Sequence, residues 1–211
     1  MLTLGISTSS GQFALILGED NHLIFDSTNY KNSSELSEML SYGLDLCNKN
    51  IADIKHIIVD IGPGGTSRVR TGISFANSLS YSLDIPVCPV SSMELAGIDA
   101  YDKYKLPVVS TVKSIKGNAY TGFYDNNKIV TIKYGKIEDT VPEMVKDVNS
   151  FSVVGFHRDQ IINMSSMKNR TIVDSHLFFG NAKIFAEKSE LFFDRGLKFP
   201  IFAQPITEET L

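Results

Sequence analysis

The stretch Ile57-Ile-Val-Asp-Ile-Gly-Pro-Gly-Gly-Thr-Ser-Arg-Val-Arg-Thr-Gly72 decides how the chain is read. Ile57–Ile61 is β-branched and apolar except for Asp60, the pattern of a buried strand. Gly62, Gly64 and Gly65 around Pro63 break that strand and permit backbone geometries that other residues resist. Thr66 or Ser67 can then cap a helix that opens near Arg68. A helix start with free N–H groups and nearby arginines, here with Ser67 and Arg70, suits an anion or a partner's carboxylate. A tight strand-to-helix turn without a ligand fits the loop equally well. The loop is not a Walker loop, because no Gly-Lys-Ser/Thr follows, and its glycine spacing is not the dinucleotide fingerprint.

Upstream, Leu2–Ile6 and Gln12–Leu17 are apolar runs separated by the polar turn Ser7-Thr-Ser-Ser-Gly11. His22–Asn29 supplies a third strand after Gly18-Glu-Asp-Asn21. Ser33 or Ser34 then begins a helix running to about Asn48, with Glu35 and Glu38 near its positive end. Downstream of the loop the helix leads into a strand at Pro86–Val90. A βββαβαβ order of this kind is that of an actin-like, ribonuclease-H-like half. From Leu106 the pattern restarts, with strands at Pro107–Val112, Ala119–Tyr124 and Lys128–Lys133 and a turn at Asp125-Asn-Asn127. A short helix at Thr140 or Val141, strands at Phe151–Gly155 and Thr171–Val173, and a helix from Ser175 to Lys188 complete it. The expected architecture is therefore α/β: two tandem βββαβα-type halves, residues 1–103 and 104–211, the second degenerate. The tail from Phe199, with Pro200 and Pro205, should be extended.

With its flanks, the loop resembles the family of bacterial tRNA threonylcarbamoyladenosine biosynthesis proteins called TsaB or YeaZ. The family's glycine loop, small-residue helix, Pro-containing strand and Ser-Ser turn have counterparts in GPGGTSRVR, TGISFANSLSYSL, DIPVCPV and SSMELAG. LTLGISTSSGQFALIL and SELSEMLSYGLDLC resemble its first hairpin and first helix, and the likeness is good from Met1 to about Ala100. There are departures. Ser7 stands where many relatives place Asp, Gly65-Thr-Ser-Arg68 replaces Ser-Phe-Thr-Gly, and Lys113-Ser-Ile-Lys116 replaces an Asp-Ala-Arg.

In the first helix, Leu36, Leu40, Leu44 and Cys47 form the expected core stripe, and Met39, Tyr42 and Leu46 lie on a neighbouring face. In the helix after the loop, Val69, Ile73, Ala76, Leu79 and Leu83 form one face, and Thr71, Phe75, Ser78 and Ser82 the other. Close-packing residues on two faces imply burial on both sides, by the chain's own third layer or by another chain. The resemblance favours another chain, because the family docks through helices of its first domain. Met39, Tyr42, Leu46, Phe75 and Ser78 are the expected contact residues.

The 211-residue chain carries a net charge of −4, scattered lysines and no basic run, which argues against a generic polyanion-binding surface. Cys47 and Cys88 sit in no metal or redox motif and read as free core thiols of a cytoplasmic protein. There is no basic, apolar leader and no run of about 18 apolar residues of the kind that spans a membrane. The four histidines show no ligand spacing, so no metal site is expected, and no Gly-x-Ser-x-Gly elbow is present. Asp60, Glu94 and Asp99 are each candidates for an acid or base, but lone carboxylates of this kind read first as ordinary solvated or capping groups, and Asp174 as a residue of a helix N-cap region rather than a base.

Actin-like folds bind ATP through glycine-bearing hairpin turns and a metal-associated Asp. Ser7-Thr-Ser-Ser-Gly11 has hydroxyls and backbone N–H groups for phosphate. With Ser at position 7, and only Lys113 and Lys116 in the corresponding second turn, neither turn has a carboxylate to organise Mg²⁺. The resemblance thus implies a non-catalytic subunit that holds TsaD, the carrier of the nucleotide and metal site, in its active arrangement. TsaE completes the assembly, and tRNA is met through the complex. Two copies of this chain pairing when alone is left open. The alternative from another class is an independent actin-fold small-molecule kinase or ATPase.

Overall fold

In a computed structural model of the protein, residues 1–10, 13–29, 35–197 and 203–211 are described. The apolar runs at the N-terminus form β1 (Leu2–Ser7), β2 (Ala14–Glu19) and β3 (His22–Asp26). β3 stops short of the expected Asn29, because Ser27–Asn29 turn into a 3₁₀ segment. Asp20 and Asn21 both take positive φ, the geometry of a two-residue hairpin turn matched to strand twist. α1 (Leu36–Leu46) follows; the serines at 33 and 34 expected to begin it lie outside the described residues. β4 (Ile54–Asp60), α2 (Thr66–Leu83) and β5 (Val87–Val90) complete a sheet of order β3-β2-β1-β4-β5. β4 runs parallel to β1 and β5 parallel to β4, while β2 and β3 are antiparallel additions.

Both faces of this sheet are covered, which is why its central strands read as unbroken apolar runs. Leu4, Ile6, Leu17, Ile57 and Val59 pack under α1 and α2 with Leu36, Leu40, Leu44, Val69, Ile73 and Ala76. On the other face lies a short helix, α6 (Ile184–Glu187), whose contacts are with β1, β2 and β3. It is followed by a 3₁₀ segment, Ser189–Arg195.

The second sheet repeats the plan. β6 (Val108–Lys113), β7 (Ala119–Asp125), β8 (Lys128–Gly135), β9 (Ser150–Gly155) and β10 (Thr171–Asp174) are ordered β10-β9-β6-β7-β8, the same sequence of neighbours as in the first sheet. α4 (Ile137–Met144) and α5 (Arg158–Asn163) lie between its later strands, and Ile137, Val141 and Ile161 pack on Val109, Phe123, Phe151 and Val153. α3 (Ser92–Tyr104) covers β6, β7 and β9. Two mixed sheets of one shared order, each with helices, make this the actin-like α/β fold.

The compact units are Met1–Ser91 with Ala182–Pro205, and Ser92–Asn181 with Ile206–Leu211, so they are not the contiguous halves 1–103 and 104–211. The reason is coverage of the second face of each sheet: α3 packs on the strands that follow it, and α6 packs on strands at the far N-terminus. The expected helix Ser175–Lys188 is interrupted as well, since His176 takes a left-handed φ of 58° that a right-handed helix cannot contain. Asp174 is accordingly not at a helix cap; it forms an ion pair with Arg158 at 3.0 Å. Of the tail, positions 199 and 200 lie outside the described residues, and Glu208–Thr210 form a 3₁₀ turn. Among the described residues neither Cys47 nor Cys88 forms a disulfide, and no helix is long and apolar enough to cross a membrane.

His56 on β4 is buried against the Phe193 ring, with centroids 4.6 Å apart, and burial pushes its pKa down. A lowered folded pKa means that the unfolded chain takes up the proton first. The stability His56 contributes is therefore complete above the unfolded value of about 6.5 and is lost as pH falls through it towards the folded value. We expect the melting temperature of the protein to fall relative to that of His56→Phe as pH is lowered from about 8 to about 5. Parallel melting curves for the two proteins across that range would show that His56 does not titrate differently on folding.

Candidate functional site

β1 and β4 are parallel neighbours with Ile6 opposite Val59, so the next residues, Ser7 and Asp60, leave the sheet side by side. The Asp60 carboxyl is 1% exposed and accepts three hydrogen bonds. The Ser7 hydroxyl donates to Oδ2 at 2.8 Å, the Ser9 hydroxyl donates to the same oxygen, and the Gly62 N–H donates to Oδ1 at 2.9 Å. Burial pushes the Asp60 pKa up, outweighing these donors, which act in the opposite direction. Asp60 is thus neither solvated nor a cap, as its sequence setting suggested. It ties the first hairpin turn to the glycine loop.

Thr8, fully buried, adds a second tie by donating from Oγ1 to the Arg68 carbonyl at 2.8 Å. Gly62 takes φ of +84°, a left-handed conformation that glycine adopts without a Cβ penalty. The Gly62–Pro63 peptide is cis. Gly64 is required for a different reason: a Cβ there would stand 2.7 Å from Ser9 Cβ and 2.8 Å from the Ser9 carbonyl oxygen. The helix begins one residue before Ser67, with Gly65 as N-cap and no side-chain cap, so neither Thr66 nor Ser67 plays the expected capping part. Ser67 and Arg70 are exposed and border a shallow polar depression of about 670 Å³ with Thr66, Thr71 and Ser74. Among the described residues no carboxylate lies within ion-pair distance of Arg70.

These bonds bear on nucleotide binding. The Ser7, Thr8 and Ser9 hydroxyls of the first turn are all engaged by groups of the chain itself, and its neighbouring carboxylate is enclosed by donors. The donor hydrogens of these three hydroxyls are therefore already committed within the chain. Among the described residues no group of three or more His, Cys, Asp or Glu is placed to hold a metal.

The five residues expected at a partner interface do not form one patch. Met39 is 3% exposed and belongs to the core, because α1 turns that flank onto the sheet. Tyr42 lies edge-on to Phe25 with centroids 6.2 Å apart, and Leu46, 57% exposed, ends the helix. Phe75, half-buried, instead lines a groove of about 370 Å³ between α1 and α2 with Leu40, Leu44 and Leu79. Ser78 is exposed on the same helix. Leu40, Leu44 and Leu79 read in the sequence as plain core stripe; their spacing alone gave no sign that they also floor an open groove.

A family model described as TsaD, tRNA N6-adenosine threonylcarbamoyltransferase, matches residues 28–194. The chain is 30% identical over 148 residues to the tRNA threonylcarbamoyladenosine biosynthesis protein TsaB of Bacillus subtilis, covering 68% of this chain and 61% of that protein. The match therefore spans less than two thirds of that relative's length. TsaB of Buchnera aphidicola subsp. Acyrthosiphon pisum is 22% identical over 190 residues, covering 87% and 85% of the two chains. In fold, the chain is similar to YeaZ from Pseudomonas aeruginosa, with a TM-score of 0.75, 17% identity and coverage of 98% and 100%.

Proposed function

Because the chain belongs to the TsaD family of tRNA N6-adenosine threonylcarbamoyltransferases, among its TsaB (YeaZ) members, we propose that it serves tRNA threonylcarbamoyladenosine formation as a non-catalytic subunit. It pairs with a TsaD-type catalytic subunit and holds it in its active arrangement. That subunit carries the ATP and metal site and transfers the threonylcarbamoyl group to tRNA adenosine, with TsaE in the assembly. The observation that carries this reading is the pairing of an inward-bonded first turn, Ser7–Ser9 on Asp60 and Arg68, with an apolar α1–α2 groove that the chain leaves open. The first disfavours nucleotide chemistry by this chain alone. The second supports a protein partner, with Phe75 at the groove, Ser78 exposed further along α2, and Tyr42 and Leu46 on the flank of α1.

The test is co-purification of the chain with a TsaD-type subunit, followed by assay of threonylcarbamoyladenosine in tRNA with and without the chain. A stable complex and chain-dependent modification are expected. ATP turnover by the purified chain alone, with no complex formed, would overturn the proposal in favour of an independent kinase or ATPase.

Arg70 offers a finer check. Its charge stands near the positive end of α2, an arrangement that a partner's carboxylate relieves. Arg70→Ala is expected to leave stability within about 0.5 kcal/mol, as exposed substitutions do. It should weaken the complex by about tenfold, as loss of an interfacial charge pair does. A marked loss of melting temperature with unchanged binding would assign Arg70 to an internal role.

A further inference from the structure

We propose that Ser7, Ser9 and Gly62 form an anion cradle that the chain closes with its own carboxylate, Asp60. Three donors from two separate segments, the end of β1 and the start of the glycine loop, converge on one carboxylate. The two hydroxyls meet one oxygen and the backbone N–H meets the other, so both oxygens of a planar oxyanion are addressed. Converging hydroxyl and backbone donors at the end of a strand are the elements from which proteins build sites for phosphate and carboxylate groups. Here the arrangement is built in the interior, with Asp60 1% exposed and Ser7 5% exposed. The packing of Gly64 on Ser9 keeps the two segments at this spacing. The ligand class is a small oxyanion, carboxylate or phosphate. In the native protein the position is filled from within, which closes this turn to the phosphate of a nucleotide.

The inference goes beyond the partner reading and is tested on the isolated chain, so the failure of one leaves the other standing. The first test removes the built-in anion. Asp60→Ala leaves three buried donors without an acceptor and should melt well below the native protein. Added acetate, measured against sodium chloride at equal ionic strength, should raise its melting temperature saturably, by about 5–10 °C at a hundredfold excess over the dissociation constant. An inorganic phosphate arm distinguishes a cradle open to phosphoryl groups from one that admits only the planar carboxylate. The native protein should show neither effect.

The second test moves the anion. Ser7 and Asp60 occupy adjacent positions on neighbouring parallel strands, so a carboxylate from position 7 reaches the same place. Ser7→Asp alone puts two carboxylates together, and Asp60→Ser alone supplies none. The double variant Ser7→Asp/Asp60→Ser should melt above both single variants. No acetate- or phosphate-specific rise in Asp60→Ala would overturn the proposal. Should Asp60→Ala not fold under any condition, the transposed pair decides, and a double variant melting no higher than Asp60→Ser would overturn it.

Discussion

Phe75→Asp is expected to abolish the proposed complex with a TsaD-type subunit, weakening it by at least about a hundredfold, or about 2.7 kcal/mol. Phe75 is half-buried at the wall of the α1–α2 groove, whose other apolar members are Leu40, Leu44 and Leu79. A partner side chain filling that groove would bury the new carboxylate without a counter-charge, which is among the costliest changes an interface can suffer. The isolated chain, by contrast, leaves position 75 open to water on one side. Its own loss of stability should stay within about 3 kcal/mol, the ordinary range for single substitutions. Isothermal titration with the partner, together with circular dichroism of the variant, separates the two effects. Unaltered affinity in a folded variant would move the partner surface away from this groove, and an unfolded variant would make Phe75 a core residue.

The second large effect is expected at the glycine loop, where two adjacent glycines should behave in opposite ways. Gly64→Ala would press a Cβ onto the Ser9 backbone at 2.8 Å, a group that cannot swing aside. The turn and the loop would have to separate, loosening the Ser9 bond to Asp60. A loss of about 1–3 kcal/mol is expected, the cost of forcing a methyl group into a filled site. At Gly65 the same methyl group would meet only the end of the Arg68 side chain, at 4.0 Å, and φ is an ordinary −61°. Gly65→Ala should therefore cost less than about 1 kcal/mol, the scale of exchanging a residue at a helix N-cap. Chemical denaturation of the two variants checks the pair. Equal stabilities would mean that the contact between Gly64 and Ser9 is relieved at no cost.

The outline of the fold was legible because the signals that specify it are local. Ile57–Ile61 followed by Gly62-Pro-Gly64 announces a buried strand and a sharp turn within eight residues. Asn126 and Asn127 both take the positive φ that a two-residue hairpin turn demands, as the Asp-Asn-Asn run suggested. The restart of three strands after Leu106 likewise anticipated a second sheet, which has the same strand order as the first.

What the sequence alone did not determine are the features that depend on residues far apart in the chain. Its apolar stripes identified α1 and α2 as packed helices, yet only the tertiary structure showed that Met39 turns inward and that Leu40, Leu44 and Leu79 floor a groove beside Phe75. α3 was read as a turn and α5 was not seen, since α3 is anchored by contacts with β6 and β7 and α5 is a helix of only six residues. Asp60 stood out in the sequence as a single carboxylate in an apolar strand and read as an ordinary one. Its three donors come from Ser7 and Ser9, more than fifty positions away, and from Gly62 across a turn. Local periodicity reports which way a side chain faces relative to its own element. Which group waits on the other side is settled by the strand order that brings β1 beside β4, and that is a property of the folded chain.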